Sequence, residues 1–362
     1  MHNSFSSPKG SSRRVVATLL LALGLLLTSG CGKLLSKFVK NEVKIPPLLG
    51  PLADASTQQM AAEVNRLATV RSIKGKIDIQ VQDNSFAESG LAEKYKAADG
   101  TVYLQRPGQV YLRIQAPFVG TNIAEMTSDG EHFRVAVLQG DEKIKRFVMG
   151  TNNAVYPKLS PPASGKGDKK KKGAQGEQTA SVLSSIRPQH FTDALMIRPI
   201  EMGGSSGLVY VKSEFYQEED ADGGQRGKKQ AERVVRGYFL LDEIAQGESG
   251  GHLSRRFWFD RVNGIRLARI QTFDKDGMLE SDVSYFDPKA FGGGEGGTFV
   301  MPSRIELTRP HDLYKLSVAY QSPEAVELDR EYRPNVFVLE NKWQLPVLDL
   351  DERERQRGQV KK

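Results

Sequence analysis

The sequence predicts a mostly β, α+β fold: about a dozen antiparallel strands in one large curved sheet, with two short helical pieces. Three observations carry this. Apolar residues fall at every second position through Val102, Leu104, Val110, Leu112 and Ile114, and again through Phe133, Val135 and Val137. That is the period of a strand with one buried face. Turn signals interrupt these runs at short intervals: Arg106-Pro107-Gly108, Ala116 to Gly120, Asp129-Gly130, then Asn263-Gly264 and Asp274 to Gly277. Helical spacing is confined to two short segments. A single sheet cannot hide an apolar face alone, so something must cover that face or bind to it.

Taken in order, residues 1–30 read as an export signal. Lys9, Arg13 and Arg14 precede the apolar run Val15 to Leu27, which is too short for a typical membrane span. Thr28-Ser29-Gly30-Cys31 follows, small residues before a cysteine, as in the bacterial lipobox, with Leu27 one place earlier than usual. Cys31 is the only cysteine, so no disulfide forms within the chain. Lipidation of Cys31 (palmitate-type acyl chains) is therefore expected. Gly32 stands where an Asp would retain the protein at the inner membrane, which favours the outer membrane. The chain carries 51 basic and 44 acidic residues, net +7, and +4 without the leader's three cations. That balance is too mild to argue for nucleic acid.

Residues 31–54 read as a lipidated tether, with Leu34, Leu35, Phe38 and Val39 among lysines, then Pro46, Pro47 and Pro51. Residues 55–340 read as a single domain, although 362 residues would allow two. Ser56 or Thr57 caps a helix through about Val70, with Met60, Val64 and Leu67 on one side. Strands are expected at Ile73 to Val81 and Tyr95 to Leu104, the latter broken by an Asp99-Gly100 turn. Residues 157–180, with Lys169 to Lys172, cannot bury a core and read as a flexible basic insertion, a solvated loop or a contact for anionic headgroups. Pro188 opens a second helix through about Met196, where Leu195 and Met196 sit at the mouth of the sheet. Strands follow at Leu208 to Tyr216, Val234 to Leu241, Leu253 to Phe259, Ile265 to Phe273, Leu279 to Phe286, Phe299 to Leu307 and Tyr314 to Tyr320. A polar loop is expected at 217–231. Residues 341–362 read as a charged tail, frayed from Asp349.

Motifs that suggest chemistry do not hold. Gly203-Gly204-Ser205-Ser206-Gly207 matches a nucleophile elbow, but a strand follows where a helix is needed. Asp274 to Gly277 lacks the calcium ligands at Thr272 and Val283 and reads as a hairpin turn. The five histidines show no metal spacing. Phe257-Trp258-Phe259 reads as a strand with aromatics on both faces, one side core. No catalytic residue, metal or cofactor is expected.

The chain resembles the LolA/LolB family of periplasmic lipoprotein carriers over most of Thr57 to Leu339. The stretch Val110-Tyr111-Leu112-Arg113-Ile114-Gln115-Ala116-Pro117-Phe118-Val119-Gly120 is similar to the strand, proline and Gly-ended loop of the lipid-anchored LolB branch. Met301-Pro302-Ser303-Arg304-Ile305-Glu306-Leu307 is similar to a late strand of the family. The resemblance implies a half-open antiparallel barrel of about 11–12 strands with a helical lid over an apolar cavity. It also implies a non-enzymatic role: binding acyl chains and accepting or delivering lipoproteins or other lipids, with a soluble periplasmic carrier as possible partner and the inner leaflet of the outer membrane as anchor. Cavity-lining residues are then expected at Met60, Val64, Leu67, Leu112, Ile114, Leu267 and Val318. Phe118 and Val119, apolar residues in a loop, are the expected membrane or cargo-transfer prong, or else fold back as core. The alternative is a lipid-anchored envelope scaffold of the same fold without acyl cargo.

Overall fold

Sixteen strands hydrogen-bond into one open sheet in the structure, a computed structural model. It describes residues 45–84, 93–94, 97–117, 119–140, 142, 145–154, 156, 186–203, 207–221, 233–247, 250–262, 264–292 and 298–360. Cys31, Phe118, Lys169 to Lys172, Ser205 and Asn263 lie outside the described residues, as do the leader and most of the tether and basic insertion. The chain divides into two units. One comprises Met1–Pro47 and Asp220–Val234; within it Arg233 and Asp220 stand 3.9 Å apart. The other comprises Leu48–Glu219 and Val235–Lys362, and the description below concerns it.

Three helices are described: α1 (Thr57–Ala68), α2 (Gln189–Leu195) and α3 (Leu350–Val360). The strands are β1 (Ser72–Asp83), β2 (Glu93–Lys94), β3 (Ala98–Gln105), β4 (Gln109–Gln115), β5 (Asn122–Asp129), β6 (His132–Val137), β7 (Arg146–Thr151), β8 (Leu208–Asp220), β9 (Arg233–Gly247), β10 (Gly250–Asp260), β11 (Arg266–Phe273), β12 (Leu279–Phe291), β13 (Phe299–Arg309), β14 (Tyr314–Tyr320), β15 (Glu327–Leu328) and β16 (Val347–Asp349). Their order is β16-β7-β6-β5-β4-β3-β1-β14-β13-β12-β11-β10-β9-β8, with β2 and β15 paired to β1. The path does not close on itself. The registered pairs are antiparallel except β16 on β7. β1 joins the two halves, between β3 and β14.

The alternation read from sequence is the alternation of burial. Val102, Leu104, Val110, Leu112 and Ile114 are in the core, as are Val135, Val137, Leu316 and Val318. Phe257 and Phe259 are core, whereas Trp258 faces the other side, edge-on to Phe215 and Tyr238. That outer face is laced with cross-strand ion pairs, among them Arg236 with Asp260 at 2.7 Å and Arg256 with Asp242 at 2.6 Å.

The sheet curls. α2 contacts both β4 and β13, which are four neighbours apart in the strand order. At about 4.8 Å per strand they would be roughly 19 Å apart in a flat sheet, whereas a helix is only about 10 Å across. Both strands reach α2 only because the sheet wraps around it. α1 caps the same concave side. Ser56 is its N-cap, with its hydroxyl accepting from Gln59 N at 3.2 Å and the Gln59 side chain accepting from Ser56 N at 2.8 Å, a capping box.

Five sequence expectations need correction. Asp99-Gly100 is not a turn: β3 runs through it. A Cβ at Gly100 would lie 3.0 Å from the Ile79 side chain and 3.1 Å from that of Ile77, so the glycine serves close approach to β1. The expected tether ends before residue 54. Leu49 N donates to Val235 O at 2.8 Å and Ala53 N to Arg261 O at 2.9 Å, so this proline-bearing stretch satisfies its backbone on strand ends. β8 extends past Tyr216 into the expected loop. β12 and β13 extend beyond their neighbours as a two-stranded ribbon, with Pro288 opposite Pro302. Neither β11 nor β14 pairs there, so no neighbour needs the missing N–H groups. Finally, the tail is not frayed from Asp349: β16 adds to β7, and Asp351 of α3 accepts from Thr151 Oγ1 at 2.9 Å and from the Tyr156 hydroxyl.

Candidate functional site

The concave face of the sheet is the candidate site, because only there does the fold bring together the residues singled out for their chemistry. Met60, Val64 and Leu67 of α1, Leu112 and Ile114 of β4, Leu267 of β11 and Val318 of β14 all belong to one buried cluster. Phe191 and Leu195 of α2 sit in that cluster, followed by Met196, Ile197 and Ile200. Their positions follow from the periods: every second residue of a strand, and one face of each helix.

The segment Ile197 to Ile200 behaves as a strap, and polar groups from separate elements hold it and α2. Asn65 of α1 donates to Ile200 O at 3.0 Å and accepts from Ile200 N at 2.7 Å. Arg106, in the β3–β4 turn, donates to Ile197 O at 2.7 Å and Val70 O at 2.9 Å. Arg255 donates to Pro199 O at 3.1 Å and Arg198 O at 3.3 Å. The Tyr285 hydroxyl donates to Ala194 O at 3.2 Å.

Arg255 is itself fixed by Glu243, which is 4 % exposed. Burial would raise the Glu243 carboxyl, but hydrogen bonds from Arg255, Ser254 and Tyr210 outweigh it and hold the group below its ordinary range. His190 lies in the first turn of α2, 4 % exposed. Burial first, then the nearby Arg309 and Arg187, lower its pKa to about 3, against an opposing pull from Asp312. Its imidazole is therefore neutral, and Nδ1 shares a hydrogen bond with the Tyr314 hydroxyl.

The loop between β4 and β5 carries the expected prong. Gly120 N donates to Ala116 O at 3.1 Å, and Gly120 takes a positive φ of 67°. Val119 is 76 % exposed; Phe118 lies outside the described residues. Beside this loop an open concavity of about 520 Å³ is lined by Gly120, Thr121, Asn122, Leu138, Gln139, Trp343 and Leu345. A second, of about 380 Å³, lies beside α1. Neither is lined by the seven apolar candidates.

Asn65, Arg106, Glu243 and Arg255 went unread in the sequence. Their partners lie on other elements or far along the chain, and a lone polar residue in a strand or turn carries no spacing signal. Asp274 is a turn residue as read: its Oδ1 accepts from Asp276 N and Met278 N, both at 2.9 Å. Among the described residues, no group of three or more His, Cys, Asp or Glu is placed to hold a metal ion, and no helix is long and apolar enough to cross a membrane.

The chain is similar to several solved structures. A LolA superfamily protein from Nitrosomonas europaea matches with 12 % identity and a TM-score of 0.35, over 79 % of this chain and 99 % of its own. A DUF1329 family protein from Desulfovibrio piger matches with 11 % identity and a TM-score of 0.35, over 77 % and 95 %. An outer membrane lipoprotein-sorting protein domain from Vibrio parahaemolyticus matches with 12 % identity and a TM-score of 0.35, over 79 % and 97 %. No family model and no curated protein matches.

Proposed function

We propose that this chain is a lipid-anchored envelope protein, not an enzyme, that receives acyl chains on the concave face of its sheet and accepts or delivers lipoproteins or other lipids at the outer membrane. The observation that carries this is the covering of that face. A broad apolar surface is closed by two short helices and a strap rather than by a second sheet. The cover is fixed at its rim by a few hydrogen bonds, each contributing about 1 kcal/mol net. Displacing it exposes an apolar trough, which binds hydrocarbon without polar ligands. Cys31 would supply the anchor, and Phe118 with Val119 would dip into the bilayer during transfer.

One observation favours the scaffold reading instead: Phe191, Leu195 and Met196 already fill the concave face. A fluorescent fatty-acyl probe separates the two. Saturable binding displaced by diacyl lipid supports the carrier reading; absence of saturable binding refutes it and leaves the scaffold. Phe118→Glu with Val119→Glu then tests the prong: delivery of bound cargo to vesicles falls while thermal stability holds.

A further inference from the structure

One end of the sheet leaves apolar residues facing water. The β4–β5, β11–β12 and β13–β14 connections all lie at that end, because along the sheet path from β5 to β11 each strand runs antiparallel to the next. Each tip exposes one large apolar side chain: Val119, then Met278 at 55 % and Leu313 at 37 %. Val347, the first residue of β16, is 60 % exposed at the same end. The β3–β4 and β5–β6 turns, at the opposite end, are Arg106-Pro107-Gly108 and Gly130-Glu131 and expose none.

Leu313 is held against its own backbone preference. In the β11–β12 turn Gly277 N donates to Asp274 O at 3.0 Å, and Gly277 takes φ 78°. In the β13–β14 turn Leu313 N donates to Pro310 O at 3.2 Å, and Leu313 fills the equivalent left-handed position at φ 56°. Glycine adopts that conformation freely and leucine does not. The leucine is thus unfavourable for conformation and for hydration alike, and strain at an exposed position points to a contact made outside the fold. The cations of these turns already have partners: Lys275 stands 3.0 Å from Asp276, and Arg309 2.8 Å from Asp312. The β4–β5 connection, Ala116 to Thr121, holds no charged residue. What the tips offer is separated hydrocarbon rather than positive charge.

We propose that this end of the sheet docks on a zwitterionic phospholipid bilayer, with Val119, Met278 and Leu313 as three anchors set into its acyl region. The proposal rests on the acyl-binding reading and extends it from a single prong to a fixed orientation. Along the sheet, the β4–β5 tip lies four strands, about 19 Å, from the β13–β14 tip, which lies two strands, about 10 Å, from the β11–β12 tip. Side chains that far apart do not form the contiguous patch that a folded partner buries. A fluid bilayer accepts each of them separately. Because the sheet curls, the three tips lie on an arc rather than a line, and three points on an arc fix a plane. One prong would leave the domain free to swing; three hold its strands upright on the membrane. The first turn of α2 is at this same end, where His190 meets Tyr314, the residue after Leu313. Docking there brings the bilayer beside the end of the helical cover, so a guest leaving the membrane reaches α2 first.

The test uses the full chain on phosphatidylcholine vesicles, a share of whose lipids carry a nitroxide on the acyl chain. Val119→Cys, Met278→Cys and Leu313→Cys are each labelled with an environment-sensitive fluorophore. Glu131→Cys reports the opposite end, and labelled wild type gives the background from Cys31, the only native cysteine. All three tips should be quenched by the nitroxide lipid, and Glu131→Cys should not. Quenching at Val119 alone leaves the prong and overturns the three-anchor rim; quenching at none of the three, or equally at Glu131, overturns the proposal outright. Failure of the acyl-binding reading is distinguishable, because the tips would then be quenched in a chain that does not bind the fatty-acyl probe. Leu313→Gly supplies a second measurement, made in the Cys31→Ser chain so that partition does not depend on acylation. It relieves the left-handed backbone, so the thermal midpoint should hold or rise, while partition onto the same vesicles falls at least about threefold. Undiminished partition by the folded Leu313→Gly chain overturns the proposal.

Discussion

Acidification should destabilise this protein through His190. The imidazole is buried and neutral, with a folded pKa of about 3, whereas an unfolded histidine titrates near 6.5. A base depressed in the folded state contributes stability that is fully present above the unfolded pKa and lost as pH falls toward the folded one. Between pH 7.5 and 5.0 the unfolded chain takes up about one proton that the folded chain refuses, a loss of about 2 kcal/mol. Urea unfolding across this range measures it directly. His190→Asn keeps a polar side chain able to hydrogen-bond the Tyr314 hydroxyl and removes the titration; whatever its absolute stability, its pH dependence should be flatter by about 2 kcal/mol over the same interval. Equal slopes for the two proteins would refute the reasoning and mean that His190 is protonated, or solvated, in the folded state.

Three further outcomes are expected. Glu243→Ala leaves the Arg255 guanidinium short of its buried partner and should cost about 3–5 kcal/mol in chemical denaturation; because Arg255 also holds the strap at Pro199, proteolysis near Ile197 to Ile200 should quicken as well. Ser56→Ala removes one arm of the capping box and should cost about 1 kcal/mol by the same assay. Tyr320→Phe should be neutral or stabilising by up to about 1 kcal/mol, because the buried Tyr320 hydroxyl has no hydrogen-bond partner among the described residues; a loss larger than that would show that the hydroxyl is satisfied.

Elements governed by short-range periodicity were legible in the sequence. The alternation from Val102 to Val137 gave the meander, Ser56 marked the start of α1, and Pro188 marked the start of α2. Elements governed by distant partners were not. Gly100 resembles a turn residue until β1 is beside it, and only then is its missing Cβ needed. Pro288 and Pro302 argue against strands in isolation; they are admitted because the ribbon they lie on has no outer neighbour at that point. The charged stretch after Asp349 has almost no apolar face, and what ties it down is Tyr156 and Thr151, about 200 residues earlier. The burial of Met60, Val64, Leu67, Leu112, Ile114, Leu267 and Val318 was likewise legible, because burial follows the helical and strand periods. The polar frame that holds α2 and the strap depends on chain folding to bring Asn65, Arg106, Arg255 and Tyr285 to backbone carbonyls.

The sheet ends at β16 and at β8 without meeting itself. In a closed barrel the bore is fixed by strand number and shear, and widening it means breaking a seam of main-chain bonds. Here the radius is set by how tightly the sheet coils, and coiling changes through small rotations between neighbours while every ladder stays intact. How tightly the sheet wraps its helices is therefore adjustable: a bulkier filling of the concave face calls for a gentler coil rather than a different fold.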